Sequence, residues 1–172
     1  MNYRQVDLAN FTLSYQDIGK GDAIVLLHGF CGSHAYWDRI IPLLSEENRV
    51  IIPDLPGSGC SAFSKGNYEV EYMADILNEL LSYLEIEKIT LCGHSLAGYI
   101  TLAFAEKYEE RLRGFSLIHS TAEPEIEGLK VELDASIELV GTFDGNKMID
   151  QLIPEIIATE NLETYHVDVE EA

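Results

Sequence analysis

Two kinds of apolar run alternate along the first 120 or so residues. Residues 23–28 (AIVLLH), 49–53 (RVIIP), 88–92 and 114–119 are near-continuous apolar stretches, the pattern of strands buried on both faces of a parallel sheet. Between them, apolar residues recur at helical spacing. Trp37, Ile40, Ile41 and Leu44 make one such face. Met73, Ile76, Leu77, Leu80, Leu81 and Leu84 make a second, at i, i+3, i+4, i+7, i+8 and i+11, and residues 96–107 form a third helix. Ahead of these, residues 3–8 and 11–18 read as strands joined at Ala9-Asn10, a hairpin. Strands alternating with helices predict a mostly parallel sheet with helices on both faces, an α/β fold. Beyond Thr121 the pattern loosens. Residues 136–140 read as a strand, and residues 146–159 as a helix that Pro154 splits. In residues 164–169 Tyr165, Val167 and Val169 alternate with polar neighbours, which predicts a last strand. About eight strands are expected in all.

At 172 residues the chain is expected to form one domain, and 47 % apolar with 24 % charged residues is globular composition rather than disorder. The charge is lopsided: 11 Lys and Arg against 30 Asp and Glu give −19. That excludes an unassisted nucleic-acid or anionic-membrane partner. Cys31, Cys60 and Cys92 are an odd number without metal-ligand or disulfide spacing, so a reducing compartment is expected. The first ten residues lack the basic-then-apolar run of a signal peptide, and no apolar stretch is long enough to span a bilayer. The expected setting is cytoplasmic. No metal or organic cofactor is indicated.

Chemistry concentrates in two turns. Gly93-His94-Ser95-Leu96-Ala97 is a G-x-S-x-A variant of G-x-S-x-G, followed by Gly98. Small flanking residues are needed because a strand-to-helix turn that lifts a serine clear of the sheet is sharp and strained. A strand lies directly before it and a helix directly after. The helix N-terminus then faces the serine oxygen, and the Leu96 N–H is a candidate oxyanion donor. The competing reading is a buried turn with an incidental serine. His28-Gly29-Phe30 follows the third strand, where a second donor would be needed, and the Phe30 N–H is the candidate; the competing reading is a plain tight turn.

The stretches LLHGFCGSHAYWDRIIPLL, VIIPDLPGSGCS, ITLCGHSLAGYITLAFAEKY and LRGFSLIHSTA resemble the α/β-hydrolase superfamily, in its esterase, MenH-like or haloperoxidase-like branch. The resemblance is strong up to residue 122, whereas residues 123–172 look shortened. It implies an α/β-hydrolase fold and a serine ester-type hydrolase of small acyl substrates, acting through an acyl-enzyme on Ser95. It also places Asp54 and residues 55–61 at the border of the active site, with loop bracing as the expected role of Asp54. The superfamily orders its triad Ser, then Asp or Glu, then His. Asp144, in Gly141-Thr142-Phe143-Asp144, is the implied acid, with Glu123 as runner-up.

Two departures follow. Residues 123–135 leave no space for a lid domain. The histidine is the second problem: His28 belongs to the candidate donor loop, His34 to the helix start, His94 to the elbow, and His119 comes too early in the chain. His166 has the right order but sits within the last strand, where the family's histidine lies in the loop after it. A fragment or an engineered or designed scaffold would look this way. A catalytically silent scaffold is therefore the alternative to an active hydrolase.

Overall fold

The computed structural model describes residues 3–8, 11–62 and 68–123. The chain divides into two compact units, Met1–Ala122 and Glu123–Ala172, and the fold described below is that of the first. Its strands are β1 (Arg4–Leu8), β2 (Phe11–Gly19), β3 (Asp22–Leu27), β4 (Asn48–Pro53), β5 (Ile89–His94) and β6 (Leu112–Ile118). The helices are α1 (Ile41–Leu44), α2 (Val70–Tyr83) and α3 (Leu96–Lys107). The sheet order is β1-β2-β4-β3-β5-β6. The hairpin β1–β2 is antiparallel and joins β4 antiparallel, while β4, β3, β5 and β6 run parallel.

Alternate residues of the central strands feed two cores, as the two-residue period of a strand requires. Val25, Leu27, Ile51, Ile89 and Leu91 face the larger one, with Met73, Leu77, Leu80 and Leu81 of α2 and Ile100 and Phe104 of α3. Leu26, Val50 and Ile52 face the smaller one, with Trp37 and Ile41. Helices on both faces let the chain run from β3 outward to β4 and then back across to β5. The strand order therefore reverses at β3. In open parallel sheets such a reversal leaves a crevice at the carboxyl ends of the strands, here those of β3 and β5.

The described sheet has six strands rather than about eight, because the strands expected at 136–140 and 164–169 lie outside the described residues. So do residues 124–135, on which the expected absence of a lid rests. The helix expected over Trp37–Leu44 is instead a 3-10 turn at His34–Trp37 and the single turn α1. Pro42 explains the break: it has no N–H to continue a helix entering from residue 38, yet it is tolerated in the first turn of a new one.

Candidate functional site

The turn after β5 is built from exclusion. Ser95 has φ 51° and ψ −117°, the combination a type II′ turn demands at its first central position and that glycine normally supplies. Its N–H donates to the Ile118 carbonyl of β6 at 3.0 Å, and its own carbonyl accepts from the Gly98 N–H at 2.8 Å. A Cβ at Gly93 would run into the Ala97 carbonyl and the Thr101 hydroxyl, and one at Gly98 into Ser120. The Ala97 methyl, by contrast, is accommodated in full burial. The G-x-S-x-A spelling thus fits: the second close approach is at Gly98, against the Ser120 side chain. Leu96 opens α3, so its N–H is one of the four in a helix's first turn without an intrahelical acceptor.

The loop after β3 comes directly against this turn. A Cβ on Gly29 would stand 2.9 Å from His94 Nδ1 and 3.1 Å from Ser95 Cβ, an approach that only glycine permits. Phe30 follows with its ring 61 % exposed, then Cys31 in the left-handed region at φ 56°. His28, fully buried, anchors the loop: its Nδ1–H donates to the Gly29 carbonyl at 2.8 Å, and its Nε2 accepts from the Leu55 N–H at 3.0 Å. Burial holds its pKa below the ordinary histidine value, outweighing the Gly29 hydrogen bond. Both ring nitrogens are engaged, so His28 braces the β3 and β4 loops together.

Asp54, 1 % exposed, centres a polar network behind that loop. Its carboxylate accepts from the His34 N–H at 2.7 Å, from His34 Nδ1 at 2.8 Å and from the Cys60 N–H at 2.8 Å. Tyr3 Oη lies 2.5 Å from His34 Nε2, which accepts its hydroxyl proton when Nδ1–H faces Asp54. Gly59, at φ 51°, passes so close that a Cβ there would collide with the carboxylate. These contacts are those of a residue that braces loops, as expected for Asp54.

The structure thus brings Ser95, Leu96 and the Phe30 loop together, on adjacent parallel strands. Asp144 and His166 lie outside the described residues. Among the described residues the Ser95 hydroxyl has no hydrogen-bond partner, and no group of three or more His, Cys, Asp or Glu is placed to hold a metal ion. No described helix is long and apolar enough to cross a membrane. Sequence reasoning missed two links. One is the Tyr3–His34–Asp54 chain; the other is the 2.9 Å hydrogen bond between Tyr36 Oη and His94 Nε2. Only the aromatic and histidine content around the turns hinted at either.

Comparison with known proteins agrees with this geometry. A family model described as the alpha/beta hydrolase fold matches residues 22–147. The chain is 30 % identical over 145 residues to a 2-hydroxy-6-oxo-2,4-heptadienoate hydrolase of Pseudomonas putida, covering 82 % of this chain and 50 % of that protein. It is 33 % identical over 111 residues to a soluble epoxide hydrolase of Corynebacterium sp., covering 64 % and 38 %. Among solved structures, a thermophilic esterase from Thermogutta terrifontis superposes with a TM-score of 0.88 at 30 % identity, over 99 % of this chain and 64 % of that one. The chain spans half or less of the length of the curated relatives it matches. With the family model covering most of its length and the elbow and strand order in agreement, the chain belongs to the alpha/beta hydrolase fold family.

Proposed function

We propose that this chain is a serine ester-type hydrolase of small acyl substrates, with Ser95 as nucleophile and the Phe30 and Leu96 N–H groups as oxyanion donors. The observation that carries the reading is the Ser95 backbone, held at φ 51° between β5 and α3 with Gly29 drawn up against its Cβ. Strain of this kind costs on the order of 1–3 kcal/mol and persists where the surroundings enforce it, which favours a working position over an incidental turn. The relatives' names include a 2-hydroxy-6-oxo-2,4-heptadienoate hydrolase, an epoxide hydrolase and an esterase. A serine hydroxyl with two candidate N–H donors suits the esterase, because addition to an acyl carbon creates the oxyanion that such donors stabilise.

In this reading Ser95 Oγ adds to the acyl carbon and its proton passes to a base. The oxyanion then collapses, the bond to the leaving alcohol breaks, and water hydrolyses the acyl-enzyme. His28 cannot be that base with both nitrogens engaged, nor can His34, held by Asp54 and Tyr3. Asp144 and His166 are the proposed acid and base, and the setting is a reducing, cytoplasmic one. The second reading is a silent scaffold without a base, since none of the histidines among the described residues hydrogen-bonds the Ser95 hydroxyl.

Fluorophosphonate labelling mapped by mass spectrometry, together with p-nitrophenyl acetate rates, separates the two. Rapid labelling at Ser95, with Ser95→Ala and His166→Ala each losing a similar factor of about 10³ or more, supports the full triad. Absence of labelling, with Ser95→Ala as fast as wild type, supports the scaffold.

A further inference from the structure

His94, the residue before Ser95, holds together three separate segments. Tyr36, from the 3-10 turn beyond the β3 loop, stacks on its ring with centroids 4.4 Å apart and a 31° tilt. Trp37 meets it edge-on at 6.4 Å, and His119, just past β6, lies at 5.8 Å. Nε2 is 2.9 Å from Tyr36 Oη. Nδ1 is buried with no hydrogen-bond partner among the described residues, and it covers the face of Gly29 where a Cβ would stand.

These contacts select a tautomer. Burial, then the neighbouring His119 and His28, hold His94 below the ordinary histidine pKa, so at neutral pH the ring carries one N–H. Were that hydrogen on Nδ1, a buried N–H would lack any acceptor, which is rare in native structures. With the hydrogen on Nε2, the N–H donates to Tyr36 Oη. The Nδ1 lone pair then faces the Cα–H of Gly29, itself a weak donor.

We propose that His94 is a positioning residue, whose Nε2–H tautomer clasps the loop carrying Phe30 against the turn carrying Ser95 through Tyr36 and Gly29. Its kinetic consequence rests on the hydrolase reading; the clasp itself does not. Beyond this clasp the loop is tied down through the Gly29 carbonyl, which accepts from His28 Nδ1–H at 2.8 Å, and not through Phe30 itself. Phe30 is largely exposed, and one turn bond, Gly32 N–H to the Gly29 carbonyl at 3.2 Å, closes it locally. An oxyanion site made by N–H groups on two loops depends on their mutual placement, and a 1 Å error costs on the order of 10²-fold.

Tyr36→Phe tests this, since it keeps the stacked ring and removes the hydroxyl. The kcat for p-nitrophenyl acetate is expected to fall about tenfold with KM within about twofold. From the other side of the bond, His94→Phe is expected to lose more than His94→Gln, whose amide still reaches Tyr36. Two nitrogen-15 NMR readouts hold even in a chain without turnover. Wild type should show His94 protonated at Nε2 and bare at Nδ1, and Tyr36→Phe should shift the Phe30 amide resonance. An Nδ1–H tautomer, or a Phe30 amide unmoved by Tyr36→Phe, overturns the clasp. Unlabelled Ser95 in wild type with the NMR signature intact overturns the hydrolase reading alone.

Discussion

The turn after β5 and the loops after β3 and β4 meet at the same end of the sheet and are held in opposite ways. The turn is held by what cannot fit: Gly93 under the Ala97 carbonyl, Gly98 against Ser120, Ala97 sealed without exposure. The loops are held by polar bonds, with Asp54 accepting from His34 and Cys60, and His28 joining the Gly29 carbonyl to the Leu55 N–H. Steric exclusion tolerates almost no change of shape but is indifferent to pH. A hydrogen-bonded network bends more readily, yet depends on every donor and acceptor being kept. The residue proposed to attack sits on the rigid side, and one of its proposed oxyanion donors on the adjustable side.

The largest effect expected is on the rigid side. Gly93→Ala places a methyl against a backbone carbonyl that cannot turn away without moving α3, and should cost about 3 kcal/mol or more. Gly98→Ala meets the side chain of Ser120, which lies just past the end of β6 and can give way by a local shift, so it should cost about 1–2 kcal/mol. Urea unfolding of the two variants measures the difference. Equal small losses would mean that the turn is not held by exclusion.

On the polar side, Asp54→Ala strands the His34 and Cys60 N–H groups and should cost about 2–3 kcal/mol. Asp54→Asn keeps one acceptor oxygen and should cost less. A loss under about 0.5 kcal/mol for Asp54→Ala, again by urea unfolding, would show the network to be ornamental.

The same side carries a pH dependence. His28 has its pKa depressed by burial, so below the unfolded value of about 6.5 the unfolded chain binds a proton that the folded chain refuses. Stability therefore falls as pH drops from about 6.5, until the folded form also takes the proton. The slope cannot exceed about 1.4 kcal/mol per pH unit for one group. His94 lies in the turn itself, where burial and its histidine neighbours depress it, so its ring adds a contribution of the same sign from the other side. Unfolding curves at pH 7.5, 6.5 and 5.5 should show a shallower fall for His28→Gln than for wild type.

Much of this was legible in the sequence, for reasons tied to range. The runs at 23–28, 49–53 and 88–92 marked β3, β4 and β5 because both faces of a central strand are buried. Residues 96–107 matched α3 at both ends. Ser95, Leu96 and Phe30 could be singled out because each lies within a few residues of a strand end, where local spelling reports local geometry. The apolar spacing over residues 37–44 is that of one helix, but Pro42 breaks it into two turns, and spacing alone does not register a missing N–H. The links from Tyr36 to His94 and from Tyr3 to His34 join residues 58 and 31 apart. No periodicity encodes such pairs; only the folded sheet brings them together.

The smallest effect expected tests the comparison at its centre, Ser95 itself. At φ 51° and ψ −117° a serine Cβ is strained by on the order of 1–3 kcal/mol, whereas glycine adopts this conformation freely. Against that relief, a glycine gives the unfolded chain more conformations to lose, roughly 0.5–1 kcal/mol. Ser95→Gly should therefore stabilise the fold by about 1 kcal/mol, within the roughly 0–2.5 that the two terms allow, while removing the proposed nucleophile. Ser95→Ala, which keeps the Cβ and the strain, should leave stability within about 0.5 kcal/mol of wild type. The contrast between the two variants matters more than either value, because both lose the hydroxyl and only one loses the strain. If they unfold at the same urea concentration, the turn is relaxed, and the backbone at Ser95 no longer argues for a working position.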